Sequence, residues 1–166
     1  MSTADNLQAA FAGESQANRK YLAFAQKAES DGFPQVAKLF RAAAAAETVH
    51  AHSHLRAMGG IKTTEENLKA AIEGEAYEFQ TMYPEFLAEA QKEGVKPAEM
   101  TFKNALPVEE VHHGLYAEAL KAVAGGQDLA ESKIQVCGIC GHTLYGDAPD
   151  RCPICGAPRE RFSEVG

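Results

Sequence analysis

The chain has 166 residues, is 45% hydrophobic and carries a formal net charge of −7, which suits one medium domain with a small appendage and leaves enough apolar material for a core. The acidic balance argues against nucleic acid or an anionic membrane surface as a partner, and no apolar run approaches the roughly 18–20 residues that cross a bilayer. The opening residues, MSTADNLQAA, lack a basic start followed by an apolar stretch, so a cytoplasmic chain without an export signal is expected.

Residues 1–126 are dense in helix formers and predict four helices. The first runs from about Thr3 to Ser30 and stops at SDGFP. The second runs from Pro34 to Met58, before Gly59 and Gly60. The third opens on a capping box, Thr63 with Glu66 three residues on, and ends before Gly94. The fourth starts near Pro97 and ends before Gly125 and Gly126. Pro84 and Pro107 are expected to bend the third and fourth, since an internal proline removes a backbone bond and crowds the preceding turn. Helices of this length point to a bundle. The segment GQDLAES reads as a linker, after which Gly, Pro, Cys and short β-prone runs (KIQV, TLY, RFSEV) mark a separate small module. The expected layout is a bundle over 1–127, a linker over 128–133 and a module over 134–166.

The phrase NLQAAFAGE, Asn6 to Glu14, returns as NLKAAIEGE, Asn67 to Glu75. Biased composition alone produces chance matches of this kind, but the following helices repeat as well. Glu47-Thr-Val-His50 and Glu109-Glu-Val-His112 are both Glu-x-x-His. At a spacing of three the two side chains share a helix face. A single such pair is most simply a solvated face. Here, each half of the bundle supplies one Glu from its first helix and one Glu-x-x-His from its second, the donor pattern of carboxylate-bridged two-metal bundles. Oxygen-rich ligation with few nitrogens suits iron or manganese better than zinc. Glu78 breaks the symmetry: it lies one turn after Glu75, where the first half has Ala17. It reads either as a surface charge or as a fifth carboxylate, which is costly to bury without a cation.

All four cysteines fall in two knuckles, Cys137-Gly-Ile-Cys140-Gly and Cys152-Pro-Ile-Cys155-Gly. Four thiolates at this spacing specify a closed tetrahedral metal site and leave zinc and a single iron both open. The glycine after each second cysteine permits positive φ, so that backbone N–H groups can turn toward sulfur. Tyr145 and Phe162 are expected to form the module's small core.

With FAGESQANRKY, AETVHAHSHLRA, GEAYEFQTMYPEF, VEEVHHGLY and CGIC…CPICGAP in place, the chain resembles the rubrerythrin family over nearly its whole length. The resemblance implies a mainly α fold: a ferritin-like di-iron four-helix bundle joined to a C-terminal rubredoxin-like domain holding one iron on four cysteines. It implies a peroxide reductase that turns hydrogen peroxide into water and is served by an electron-donating reductase or rubredoxin. Carried over by position, Glu47 and Glu109 would bridge the irons and Glu14 and Glu75 would be terminal ligands. His112 would bind one iron. The other would exchange His50, when reduced, for Glu78, when oxidised. Tyr21 and Tyr83 match family tyrosines beside the site. Cys137, Cys140, Cys152 and Cys155 would hold the third iron, or zinc. Glu110 and His113 form a shifted Glu-x-x-His that the match disfavours, and His54, one turn from His50, is a candidate neighbour of the site. A ferroxidase or iron buffer is the competing reading. It leaves an electron-relaying cysteine module without a purpose.

Two geometric expectations follow. Helix two, about 25 residues, is roughly 37 Å long, while residues 59–63 span at most about 20 Å. In a ferritin-like bundle helices two and three run parallel, so a same-chain return is too short. Two solutions remain, an up-down-up-down bundle or two chains exchanging helix pairs, and the resemblance favours exchange in a homodimer. His112 also lies about 12 residues, roughly 18 Å, before the end of its helix, which makes the chain's own half-site a poor electron acceptor for its own cysteine module and favours a site across the dimer.

Overall fold

The computed structural model describes residues 2–166. Helix α1 (Thr3–Ser30) is opened by a capping box in which Ser2 Oγ accepts from the Asp5 N–H and the Asp5 carboxylate accepts from the Ser2 N–H. Helix α2 (Pro34–Ala57) begins on a proline, whose missing N–H costs nothing in a first turn. Helix α3 (Thr64–Tyr77) starts on the expected Thr63–Glu66 capping box. A single π turn (Glu78–Met82) separates it from α4 (Tyr83–Glu93), which Gly94 ends at φ 73°. Helix α5 (Lys96–Ala124) continues through Pro107.

The third expected helix is therefore two helices joined by a π turn. The Tyr83 N–H reaches back to the Glu78 carbonyl, and Pro84, which has no N–H to give, follows at once. The wider turn also explains a mismatch in the repeat. Glu14 and Glu75 are 61 positions apart, whereas Tyr21 and Tyr83, Phe24 and Phe86, Phe40 and Phe102, Glu47 and Glu109, and His50 and His112 are 62 apart. One residue has entered α3–α4 between Glu75 and Tyr83. A π turn absorbs such an insertion without rotating the flanking helices out of register.

The chain forms two compact units, Met1–Lys62 and Thr63–Gly166, divided between α2 and α3. In the first, α1 and α2 pair along a seam of buried alanines, Ala25, Ala28, Ala37, Ala44 and Ala51, and small side chains let the two backbones approach. Asn18 pins the seam, its Nδ2 donating to the Ala44 carbonyl at 2.7 Å and to Thr48 Oγ1 at 2.8 Å. Phe40 sits 6.1 Å from Tyr21 and 5.6 Å from Phe24, centroid to centroid. The second unit repeats this cluster, with Phe102 at 6.1 Å from Tyr83 and 5.6 Å from Phe86. Several large apolar side chains lie outside: Leu39 is 69% exposed, Val49 61% and Met100 60%.

The module belongs to the second unit. Strand β1 (Ile134–Cys137) is central, with β2 (Thr143–Tyr145) and β3 (Phe162–Glu164) antiparallel on either side. All three β-prone runs thus become strands. The module's interior is made by Cys137, His142, Ala148 and Cys152, while Tyr145 and Phe162 are only half-buried. His142 takes the central place, edge-on to Phe162 at 6.5 Å.

Candidate metal centres

The first unit gathers Glu14 from α1 with Glu47 and His50 from α2, one donor atom of each lying within 4.8 Å of the others. His50 Nδ1 is 2.9 Å from Glu47 Oε2 and 4.0 Å from Glu14 Oε2. Glu14 and Glu47 are close enough to share a proton. The hydrogen bond between them raises the pKa of Glu14 and lowers that of Glu47, which His50 lowers further. The charge of His54 bears on Glu14, which places it beside the triad.

The second unit builds the same triad from Glu75 on α3 with Glu109 and His112 on α5. His112 Nδ1 lies 2.7 Å from Glu109 Oε2 and 3.8 Å from Glu75 Oε2. Burial, then the hydrogen bond and charge of Glu109, push Glu75 up to about 7. Glu78 stands just outside this triad; burial and the Glu109 charge raise its pKa too. The Tyr83 hydroxyl is raised by burial and then by Glu109, Glu78 and Glu75 in turn, so it faces the same group of carboxylates. Tyr21 stands in the matching aromatic cluster of the first unit. Glu110 is exposed and His113 packs edge-on against Phe79 at 5.5 Å, so the shifted pair takes no part.

The four sulfurs converge. Cys137 Sγ is 3.7 Å from Cys155 Sγ, and Cys140 Sγ is 3.6 Å from Cys152 Sγ, with all four inside 4.8 Å. A disulfide would bring sulfurs to about 2 Å, whereas a tetrahedron of thiolates at about 2.3 Å from one ion sets them about 3.8 Å apart. Both glycines take the expected positive φ, 86° at Gly141 and 73° at Gly156, and their own N–H groups donate to the Cys137 and Cys152 carbonyls.

The module does not stand apart from α5. His112 Nε2 is 3.0 Å from Thr143 Oγ1, so the cysteine knuckle reaches the Glu75, Glu109 and His112 triad of its own chain. Counting residues along α5 gives the wrong answer, because Leu129 and Ile134 fold back beside Leu115, Tyr116 and Ala119 around a cavity of about 360 Å³. Neither Thr143 nor His142 carried a signal in the sequence beyond standing after Cys140. His142 is 8% exposed, and its Nδ1 has no hydrogen-bond partner among the described residues.

Both carboxylate triads fit cations. Where two acids crowd beside an imidazole the pKa of one is raised, as at Glu75, by burial and then by Glu109, and at Glu14, by Glu47, and a dication would remove that conflict.

The family described as Rubrerythrin matches residues 5–120, and its rubredoxin-like domain matches residues 135–163. Rubrerythrin-2 of Clostridium acetobutylicum is 34% identical over 96% of this chain and 95% of its own. Nigerythrin of Nitratidesulfovibrio vulgaris is 36% identical over 98% of this chain and 86% of its own. A solved structure of nigerythrin in its fully reduced, all-ferrous state is similar at a TM-score of 0.59 and 34% identity, covering 99% of this chain and 87% of that one. The expected fold, a ferritin-like helical part joined to a rubredoxin-like domain, is the fold found.

Proposed function

The chain belongs to the rubrerythrin family, and we propose that within it the protein is a peroxide reductase, converting hydrogen peroxide to water at its carboxylate-bridged site. Its cofactors are the family's: two iron ions in the helical part and one in the rubredoxin-like part. It is a di-iron oxidoreductase by family; hydrogen peroxide as substrate is our reading. The observation that carries it is the contact between His112 and Thr143, which sets a four-thiolate centre against one carboxylate triad. A centre so placed serves a site that must be resupplied with electrons, and an iron buffer has no such need.

When bound, the iron pair supplies two electrons together, so that peroxide takes two electrons and two protons and leaves as two waters. Glu47 and Glu109 would hold the pair as bridges, Glu14 and Glu75 would serve as end ligands, and His112 would bind one ion. His50 and Glu78 are alternative partners for the other. The position of Glu78 beside the second triad and outside its donor set supports a part-time role. Tyr83 faces the carboxylates of the second triad, and Tyr21, its counterpart in the repeat, would stand beside the first, each as a hydrogen-bond partner for a ligand carboxylate. The bundle occupies 1–127, the linker 128–133 and the relay module 134–166, which accepts electrons from a reductase or a rubredoxin. Four free thiols gathered without a disulfide support a reducing compartment, the cytoplasm.

Each triad supplies half of a two-metal site. The short link between α2 and α3, and large apolar side chains left exposed on both units, support a homodimer that exchanges helix pairs. The reaction is tested by mixing the anaerobic ferrous protein with hydrogen peroxide or with oxygen in a stopped-flow instrument. Oxidation by peroxide should be at least tenfold faster. Equal rates would favour the ferroxidase.

A further inference from the structure

We propose that Thr143 is a positioning residue for His112, selecting the imidazole tautomer that can bind metal and seating the cysteine module on α5. The proposal rests on the reading of His112 as an iron ligand.

A threonine hydroxyl has one proton to give. Thr143 gives it to the Gly141 carbonyl at 3.0 Å. With the hydroxyl proton on that carbonyl, the second contact of the same oxygen, 3.0 Å from His112 Nε2, is one in which Nε2–H donates. That choice turns the lone pair of Nδ1 to the side where Glu109 lies at 2.7 Å and Glu75 at 3.8 Å, a set of acceptors that a shared cation makes favourable. The other tautomer would turn an N–H toward the incoming cation. Partners that fix a ligand histidine in this way are worth about 10–100-fold in metal affinity.

The hydroxyl is itself held in place. Thr143 opens β2 opposite Val136 of the central strand, and Gly141 turns the knuckle two residues earlier at φ 86°. A Cβ built on Gly141 would sit 3.7 Å from Val108 Cγ1. Val108 is 2% exposed and lies one turn before His112 on the same face of α5. The module therefore rests on α5 at two neighbouring points, one apolar and one polar. The cavity of about 360 Å³ beside them leaves part of the junction unpacked, which gives the hydrogen bond a larger share in the seating.

The test compares Thr143→Val, which keeps volume and β-branching but removes the hydroxyl, with Thr143→Ser, which keeps the hydroxyl. The red absorption of the four-cysteine iron, equal in all samples, shows that the module is intact. Ferrous affinity of the helical site is measured anaerobically by competition with a chelator, and the His112 Nε2–H is followed by nitrogen-15 NMR in zinc-loaded protein. The Val variant should lose 10–100-fold in affinity and lose the protected Nε2–H signal. The Ser variant should stay within about threefold of the parent. A Val variant matching the parent in both readouts, while His112→Gln loses affinity, overturns the role of Thr143 and leaves His112 a ligand. A His112→Gln variant that binds iron as tightly as the parent overturns the ligand reading itself.

Discussion

Glu75 is the carboxylate whose protonation most clearly ties the site to pH. In the metal-free helical part its pKa is raised from 4.5 to about 7, first by burial and then by Glu109. Between those values the folded state holds a proton that the unfolded chain has released. This contribution to stability is complete below pH 4.5 and is lost as pH rises to 7. The melting temperature of protein stripped of its helical-site metal should therefore fall between pH 5 and pH 8, and Glu75→Gln should flatten that fall. Identical profiles for parent and variant would refute the assignment. The grouping of Glu75 with Glu109 and His112, and of Glu14 with Glu47 and His50, was legible because helical spacing sets those donors on shared faces. Thr143 was not. Its partner His112 stands on α5, 31 residues away, and no local period encodes a contact of that range.

The π turn is the element in which the two halves differ most. Glu14 and Tyr21 are seven positions apart on a regular helix, and Glu75 and Tyr83 are eight apart across the π turn. Seven residues are close to two turns, so both members of each pair face the same way only if the π turn absorbs the extra residue. Deleting Thr81 from the π turn should recreate the spacing of α1, keep the Tyr83–Phe86–Phe102 cluster and leave the iron count near that of the parent. Deleting Gln16 from α1 has no spare residue to use. It should rotate Glu14 by about 100° against Tyr21 and reduce the iron count to that of the four cysteines alone. If the Thr81 deletion lost iron as completely as the Gln16 deletion, the π turn would not be an absorbed insertion. The sequence marked helix boundaries well because capping boxes, prolines and glycines act locally: Thr63 with Glu66, Pro34 and Gly94 all stand where expected. It concealed the π turn, because a one-residue change in hydrogen bonding leaves composition and polarity untouched.

At the scale of the whole molecule, the two triads arise in two units joined through Gly59, Gly60, Ile61 and Lys62. Each unit buries mainly alanine in its helices and keeps residues such as Leu39, Val49 and Met100 outside. Burying side chains of that size contributes about 1.5–3 kcal/mol each, a gain open to helix pairs that find a partner. The proposed exchange would set the α1–α2 pair of one chain against α3–α5 of the other, and complementation tests it directly. Glu47→Ala spoils only the first triad, and Glu109→Ala only the second. Each variant alone should have no complete two-metal site. When the two are unfolded, mixed in equal amounts and refolded, about half of the dimers should contain one chain of each kind. With exchange, one bundle of such a dimer receives both damaged triads and the other receives both intact ones, so peroxide reduction should return to about a quarter of the parent's. Without exchange every bundle keeps one damaged triad and nothing returns. Peroxidase activity of the refolded mixture, with its mass by light scattering, therefore separates the two architectures, and an inactive mixture of well-folded dimers would rule out the exchange.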